Sequence, residues 1–285
     1  MKFQKVTIVG VGLLGGSLGL AIKKRKLARQ VVGYVRRKAS IAECKRFRAV
    51  DLATTDLRKA VSGADFVVLC TPIGRMRELV EEMLPSLKRG VLVTDVGSVK
   101  TCVVRKLESL VEDAGGHFVG SHPMAGAEKI GVSAAGADLF VNSVCAVTLT
   151  KKNNRSAARR IEGFWKAVGA KPVRLSAELH DVLVSRSSHL PHVIAAELAN
   201  YVLSPTHPDK QPLFCANGFR DSTRIASGSP EMWRDIAIAN RKNISHTLEA
   251  FIRDLQQFQR ALKKGDQNGI QKFFESAKRR RDDLI

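Results

Sequence analysis

The sequence predicts an α/β fold, a doubly wound and mostly parallel sheet followed by an all-helical second domain. Three observations carry this reading. Short apolar runs alternate with helical segments through the first 175 residues, the pattern of strands joined by crossover helices. The first run ends in closely spaced glycines that open a helix. Beyond Ser176 no convincing strand follows, and long helical stretches take over. The expected division is an α/β domain over residues 1–175 and a helical domain over 176–285.

The elements follow in order. FQKVTIVGVG (3–12) reads as a strand running into glycine, and 16–27 as a helix. VVGYV (31–35) is a second strand, with a helix near 39–48. ADFVVLCTP (64–72) is a buried strand stopped by Pro72, and 74–87 is helical with Pro85 near its end. GVLVTDVGS (90–98) is a strand, 99–114 an amphipathic helix, and GHFVGSHP (116–123) a strand ending in a loop. SVCAVTLT (143–150), a helix over 155–168 and a strand over 171–175 complete this half. In the second half, 177–203, 230–264 and 266–284 are helical, and the Pro-rich SPTHPDKQP (204–212) is a loop.

Composition narrows the function classes. No stretch approaches the roughly 18 apolar residues of a membrane span, and the N-terminus has no signal-peptide pattern, so a cytoplasmic protein with no membrane partner is expected. Cys44, Cys70, Cys102, Cys145 and Cys215 are isolated and odd in number, which argues against a disulfide framework and a zinc site. The 47 Lys and Arg against 27 Asp and Glu invite a nucleic-acid reading. The basic clusters carry no interleaved aromatics, however, and two Trp and two Tyr leave little for base stacking. A basic surface that attracts small anions is the simpler expectation, with no nucleic-acid partner.

Gly10, Gly12 and Gly15, with Leu13 and Leu14 between the last two, match GxGxxG between a strand and a helix. Gly10 allows the tight turn, Gly12 lets backbone approach a pyrophosphate, and Gly15 lets helix and strand pack closely. The free N–H groups of the helix N-terminus then face the anion. This is the context of a Rossmann-type dinucleotide site. The acid that would bind a ribose 2′-hydroxyl is expected roughly 20 residues on, and Val35 stands there, followed by Arg36 and Arg37. Two guanidinium groups suit a 2′-phosphate, which favours NADP over NAD; the alternative is that they point into solvent.

Ligands of open α/β sheets sit outside the carboxyl ends of the strands. Three such ends carry unusual sequence: CTPIG (70–74), with Thr71 and Pro72 beside the cofactor, DVGSVK (95–100), and GSHPMAGAE (120–128). They bring Ser98 and His122 to the edge that holds the glycines. A histidine beside a nicotinamide can take a proton while hydride leaves the same carbon. In the helical half, His189 and His192 lie three apart on one helical face, and Pro191 between them should kink the helix. That spacing supplies too few ligands for a metal. GFRDSTRIASGSPEMW (218–233) gathers Arg220, Asp221, Arg224 and Trp233, and an arginine there can clamp a carboxylate or form a surface ion pair.

Together VGLLGGSLG (11–19), CTPI (70–73), DVGSVK (95–100), GSHPMAG (120–126), HD (180–181) with SHLPH (188–192), and GFRDSTR (218–224) resemble the prephenate/arogenate dehydrogenase family of tyrosine biosynthesis. The resemblance covers most of the chain. It implies an NAD(P)-dependent oxidative decarboxylation, in which hydride leaves the hydroxyl-bearing ring carbon, the ring carboxylate departs as CO2, and the ring becomes aromatic. It makes His122 the catalytic histidine and Ser98 the serine that helps place it. Arg224 becomes the carboxylate-binding arginine, His189 and His192 line the substrate pocket, Asp221 orients the arginine segment, and Trp233 is a further substrate contact. It also implies a homodimer through the helical domain. Prephenate and arogenate differ at the side chain, keto against ammonium. A donor at His192 suits the pyruvyl group of prephenate, whereas the NADP reading leans toward arogenate.

Other readings fit less well. A β-hydroxyacid-type dehydrogenase is expected to carry a catalytic lysine in the helical domain, and 177–203 holds none. A non-catalytic NADP sensor would lose His122, Ser98 or Arg224, and all are present. With the chain ending at Ile285, tyrosine feedback, where present, is expected at the active site.

Overall fold

The computed structural model describes residues 2–126 and 131–284; Ala127 and Glu128 of the GSHPMAGAE segment lie outside the described residues. Strands β1 (Phe3–Val9), β2 (Ala28–Tyr34), β3 (Leu52–Thr54), β4 (Phe66–Leu69), β5 (Leu92–Asp95) and β6 (His117–Phe118) form one parallel sheet in the order β3-β2-β1-β4-β5-β6. The order reverses beside β1, where an open sheet leaves a crevice at its carboxyl ends. Helices α1 (Leu13–Lys24), α2 (Lys38–Arg46), α3 (Leu57–Val61), α4 (Ile73–Met83) and α5 (Thr101–Asp113) make the crossovers. The short β3 and α3 were not legible in the sequence, because three residues of strand and five of helix carry too little periodicity.

Both faces of the sheet are covered. In β4, Phe66 and Val68 point into one apolar cluster with Phe3, Phe164 and Trp165, while Val67 and Leu69 point into another with Leu79, Val93 and Leu107. Successive strand residues face opposite ways, so a strand buried on both sides reads as a continuous apolar run.

The segment expected as one strand over 116–123 is two. β6 ends at Phe118, and β7 (Gly120–Pro123) leaves the large sheet to pair antiparallel with β8 (Val144–Thr148), which pairs in parallel with β9 (Lys171–Leu175). Gly120 permits the crossing: a Cβ there would stand 2.7 Å from Thr148 Oγ1 and 3.0 Å from Val104 Cγ2. Helix α6 (Arg155–Ala167) joins β8 to β9, and its Trp165 donates to Ser121 Oγ at 3.0 Å.

The helical half holds α7 (Ala177–Val184), α8 (Leu190–Val202), α9 (Asn217–Thr223), α10 (Pro230–Ala239), α11 (Arg241–Lys264) and α12 (Gln267–Asp282). Between α7 and α8 the chain widens into a π turn, Ser185–His189. Pro191 follows at once, with no N–H to donate back into the preceding turn, and this is the irregularity the sequence suggested as a kink. Ile238, Ile252, Leu255, Leu262, Phe273 and Phe274 stay exposed on the single chain. Among the described residues no helix is long and apolar enough to cross a membrane, and no cluster of His, Cys, Asp or Glu could hold a metal ion.

Candidate active site

A cavity of about 670 Å³ opens at the carboxyl ends of the strands, between the sheet and the helical half. α10 closes one side and lies tight on α4, where a Cβ at Gly74 would stand 2.6 Å from the Asp235 carboxylate. Gly12, Leu13, Leu14, Thr71, Pro72, Ser98, His122, His192, Arg224 and Trp233 all line this space. Residues from six separate stretches of chain thus meet at one place.

The glycine loop fits a dinucleotide. Gly10 has φ +99°, and a Cβ would meet the Cys70 carbonyl oxygen at 2.7 Å. At Gly15 a Cβ would overlap the Gly10 carbonyl oxygen at 2.0 Å, so helix and loop touch only because the side chain is absent. Gly12 differs: it caps the start of α1, and a Cβ there would meet nothing within 4 Å. Its bare face turns to the open cavity, where the first N–H groups of α1 are free to meet an anion. Thr71 adds a buried hydroxyl with no hydrogen-bond partner, a group that a bound cofactor would satisfy. Arg36 and Arg37 lie exposed past the end of β2, Arg37 immediately before α2, and neither lines the cavity.

His122 sits on β7, only 8% exposed. Its position is fixed from below by a buried ion pair between Lys100 and Asp95, both without solvent exposure. Lys100 Nζ also donates to the Ser121 carbonyl at 2.9 Å, and Asp95 accepts from the Ser121 N–H at 3.1 Å and the Gly97 N–H at 2.8 Å. These bonds fasten β7 to the end of β5. Removing one member of a desolvated pair leaves a bare charge, at a cost of about 3–5 kcal/mol.

His122 Nδ1 lies 2.9 Å from His180 Nε2, and His180 Nδ1 lies 2.8 Å from Asp181 Oδ1. Asp181 also accepts the Lys100 and Thr101 N–H groups that begin α5, at 2.8 and 2.9 Å. Burial raises its pKa, but the bonds from His180, Lys100 and Thr101 outweigh this and hold it below the usual carboxylate range. An ionised Asp181 only accepts, so a neutral His180 carries its proton on Nδ1 and accepts at Nε2. His122 then donates from Nδ1, which leaves Nε2 with a free lone pair. Burial, then His180, Lys100 and His189, depress the His122 pKa well below the ordinary histidine value, so the ring is neutral at pH 7.

His192 stacks on Trp233, with ring centroids 3.8 Å apart, and contacts the Ser188 carbonyl through Nδ1 at 2.9 Å. A carbonyl only accepts, so Nδ1 carries the proton. Burial lowers the His192 pKa, partly opposed by that carbonyl. The neutral ring therefore offers Nε2 as an acceptor, not the donor the sequence suggested, because its one proton is committed to the helix backbone. His189 is fully buried behind the cavity wall, with Nδ1 3.1 Å from Asn240 Nδ2, and burial pushes its pKa down to about 4. Arg224 opens a 3-10 turn, Arg224–Ser227, at the cavity edge. Asp221 lies exposed on α9 and does not line the cavity.

The family models for the prephenate dehydrogenase nucleotide-binding domain and the prephenate dehydrogenase dimerization domain match residues 18–174 and 176–276. The chain belongs to the prephenate dehydrogenase family. It is 34% identical to the prephenate dehydrogenase of Bacillus subtilis (strain 168), over 98% of this chain and 76% of the relative. It is 32% identical to the cyclohexadienyl dehydrogenase of Zymomonas mobilis, over 98% and 95% of the two chains. The crystal structure of prephenate dehydrogenase from A. aeolicus with hydroxyphenyl propionate and NAD+ superposes with a TM-score of 0.93 at 30% identity, covering 100% of this chain and 99% of that one. Sequence reasoning gave no role to His180 and Asp181, the two residues that follow His122 in this hydrogen-bonded row. The HD dipeptide was visible, but nothing local tied it to a histidine 58 residues away.

Proposed function

We propose that this protein catalyses the NAD(P)-dependent oxidative decarboxylation of prephenate to 4-hydroxyphenylpyruvate. The observation that carries the reading is His122, a neutral imidazole with Nε2 unclaimed, on the same cavity as the Gly12 face and Arg224. The ring hydroxyl of the substrate donates to His122 Nε2, which takes its proton as the carbon below is oxidised. A nicotinamide cofactor held on Gly10, Gly12, Gly15, Leu13, Leu14, Thr71 and Pro72 supplies the hydride acceptor. Arg224 binds a substrate carboxylate, and the guanidinium fork suits that geometry. Ser98 hydrogen-bonds beside the histidine, while Trp233 and His192 flank the substrate. Expulsion of CO2 and gain of aromaticity complete the step, with water excluded by the α10 wall.

NADP is the favoured cofactor in this reading. No carboxylate stands at the end of β2, and Arg36 and Arg37 are unburied and available to a 2′-phosphate. Two copies pair through the helical domain, which accounts for the exposed apolar faces of α11 and α12. Arogenate is the second reading, favoured by one observation: the His192 acceptor suits an ammonium group better than a keto oxygen.

The test is a set of four initial rates, prephenate and arogenate each with NADP+ and NAD+, read as nicotinamide reduction. Turnover of prephenate is expected. Arogenate as the faster substrate would favour the second reading. No turnover by folded protein that binds NADP+ would overturn both.

A further inference from the structure

The His122–His180–Asp181 row does more than hold a ring in place. Its three members come from β7 and α7, and all are buried. With both rings neutral, each contact admits only one assignment of protons, because the row ends at a carboxylate that already accepts two backbone N–H bonds. The Lys100 ammonium opposes a positive charge on His122. A base in that position needs somewhere to put the charge it acquires.

We propose that His180 and Asp181 are positioning residues that form a proton relay, through which the charge taken up by His122 is transferred to His180 and rests beside Asp181. This rests on the oxidation proposed above. As the substrate O–H bond breaks, its proton bonds to His122 Nε2. The His122 Nδ1–H bond breaks, and that proton bonds to His180 Nε2. His122 ends neutral with its proton on the outer nitrogen, and His180 ends as a cation 2.8 Å from the Asp181 carboxylate. Two N–H bonds form, one N–H and one O–H bond break, and the electron pair of the substrate C–H bond leaves as hydride. The positive charge thus comes to rest against the one carboxylate in the row.

The other titratable groups packed around the row are Lys100 with its partner Asp95, His189, and the thiols of Cys102 and Cys145, which burial keeps protonated. None of them offers the row a second negative charge, since Asp95 is engaged by Lys100 and by two backbone N–H groups.

The experiment joins histidine ¹⁵N NMR of the full chain to kinetics of Asp181→Asn. In the unchanged protein both His122 and His180 should show protonated Nδ1 and bare Nε2, the less common neutral tautomer. In Asp181→Asn, kcat should fall about 100-fold or more with KM within about threefold. The acid limb of kcat/KM should move to lower pH, because the cationic pair has lost its counter-charge. A merely structural role would leave that limb in place. A protonated Nε2 on His122 in the unchanged protein would overturn the relay, and so would an unmoved acid limb with less than threefold loss of kcat. The NMR arm needs no turnover. The expected tautomers in a protein that oxidises neither substrate would therefore refute the proposed reaction and leave the proton assignment standing, and should Asp181→Asn fail to fold, the tautomers decide alone.

Discussion

Alanine at Gly12 separates the cofactor site from the fold that carries it. A Cβ there meets no atom within 4 Å, and φ is negative, −94°. The stability cost is that of glycine against alanine at a helix start, about 1 kcal/mol or less. The same methyl group projects into the space where a pyrophosphate would approach the first turn of α1. Displacing the phosphate from one backbone N–H loses a charge-assisted bond worth about 1.5–3 kcal/mol, or about 10- to 100-fold in affinity. Gly15→Ala should behave in the opposite way. Its Cβ would lie 2.0 Å from the Gly10 carbonyl oxygen, so α1 must move off β1, at about 3 kcal/mol or more. Urea denaturation gives the stability of each variant, and titration calorimetry with NADP+ gives affinity. An unchanged Kd in Gly12→Ala would refute the placement of the pyrophosphate on this face.

The other predictions address the rest of the site. Arg36→Ala with Arg37→Ala should weaken NADP+ by about tenfold or more and spare NAD+, as expected of lost phosphate pairs; equal effects on both cofactors would reject the 2′-phosphate contact. His122→Asn should abolish turnover while NADP+ affinity stays within about twofold, since the imidazole base is lost and the glycine loop is untouched; parallel loss of both would remove its role as base. Arg224→Ala should raise the substrate KM about 10- to 100-fold, the worth of a charged clamp, and an unchanged KM would exclude it. Stability should also fall in acid. His189 is held neutral with its pKa near 4, against about 6.5 unfolded, so between these values the unfolded chain binds the extra proton. Its contribution, about 3 kcal/mol, is complete above pH 6.5 and is lost progressively as pH falls to about 4. Urea midpoints across that range should show a shallower slope in His189→Gln, and identical slopes would contradict it.

What the sequence determined by itself is what short-range chemistry dictates. The strand, glycine turn and helix over the first 24 residues follow from apolar alternation and from backbone positions that only glycine can fill. The buried parallel strands are legible as unbroken apolar runs such as the FVVL of β4. Ser98, His122, His192, Arg224 and Trp233 stood out because glycine, proline and histidine crowd the ends of elements, where ligands bind.

Tertiary structure alone decided the rest. No local pattern says that β7 quits the large sheet, since that depends on Gly120 passing beside Thr148 and Val104. Nor does one say that Lys100 is buried against Asp95, because a lysine five residues from an aspartate is usually solvated. The proton states of His122, His180 and His192 were also beyond reach. A histidine's tautomer is set by the partner at its other nitrogen, and for His122 that partner arrives from the helical half, 58 residues further along the chain.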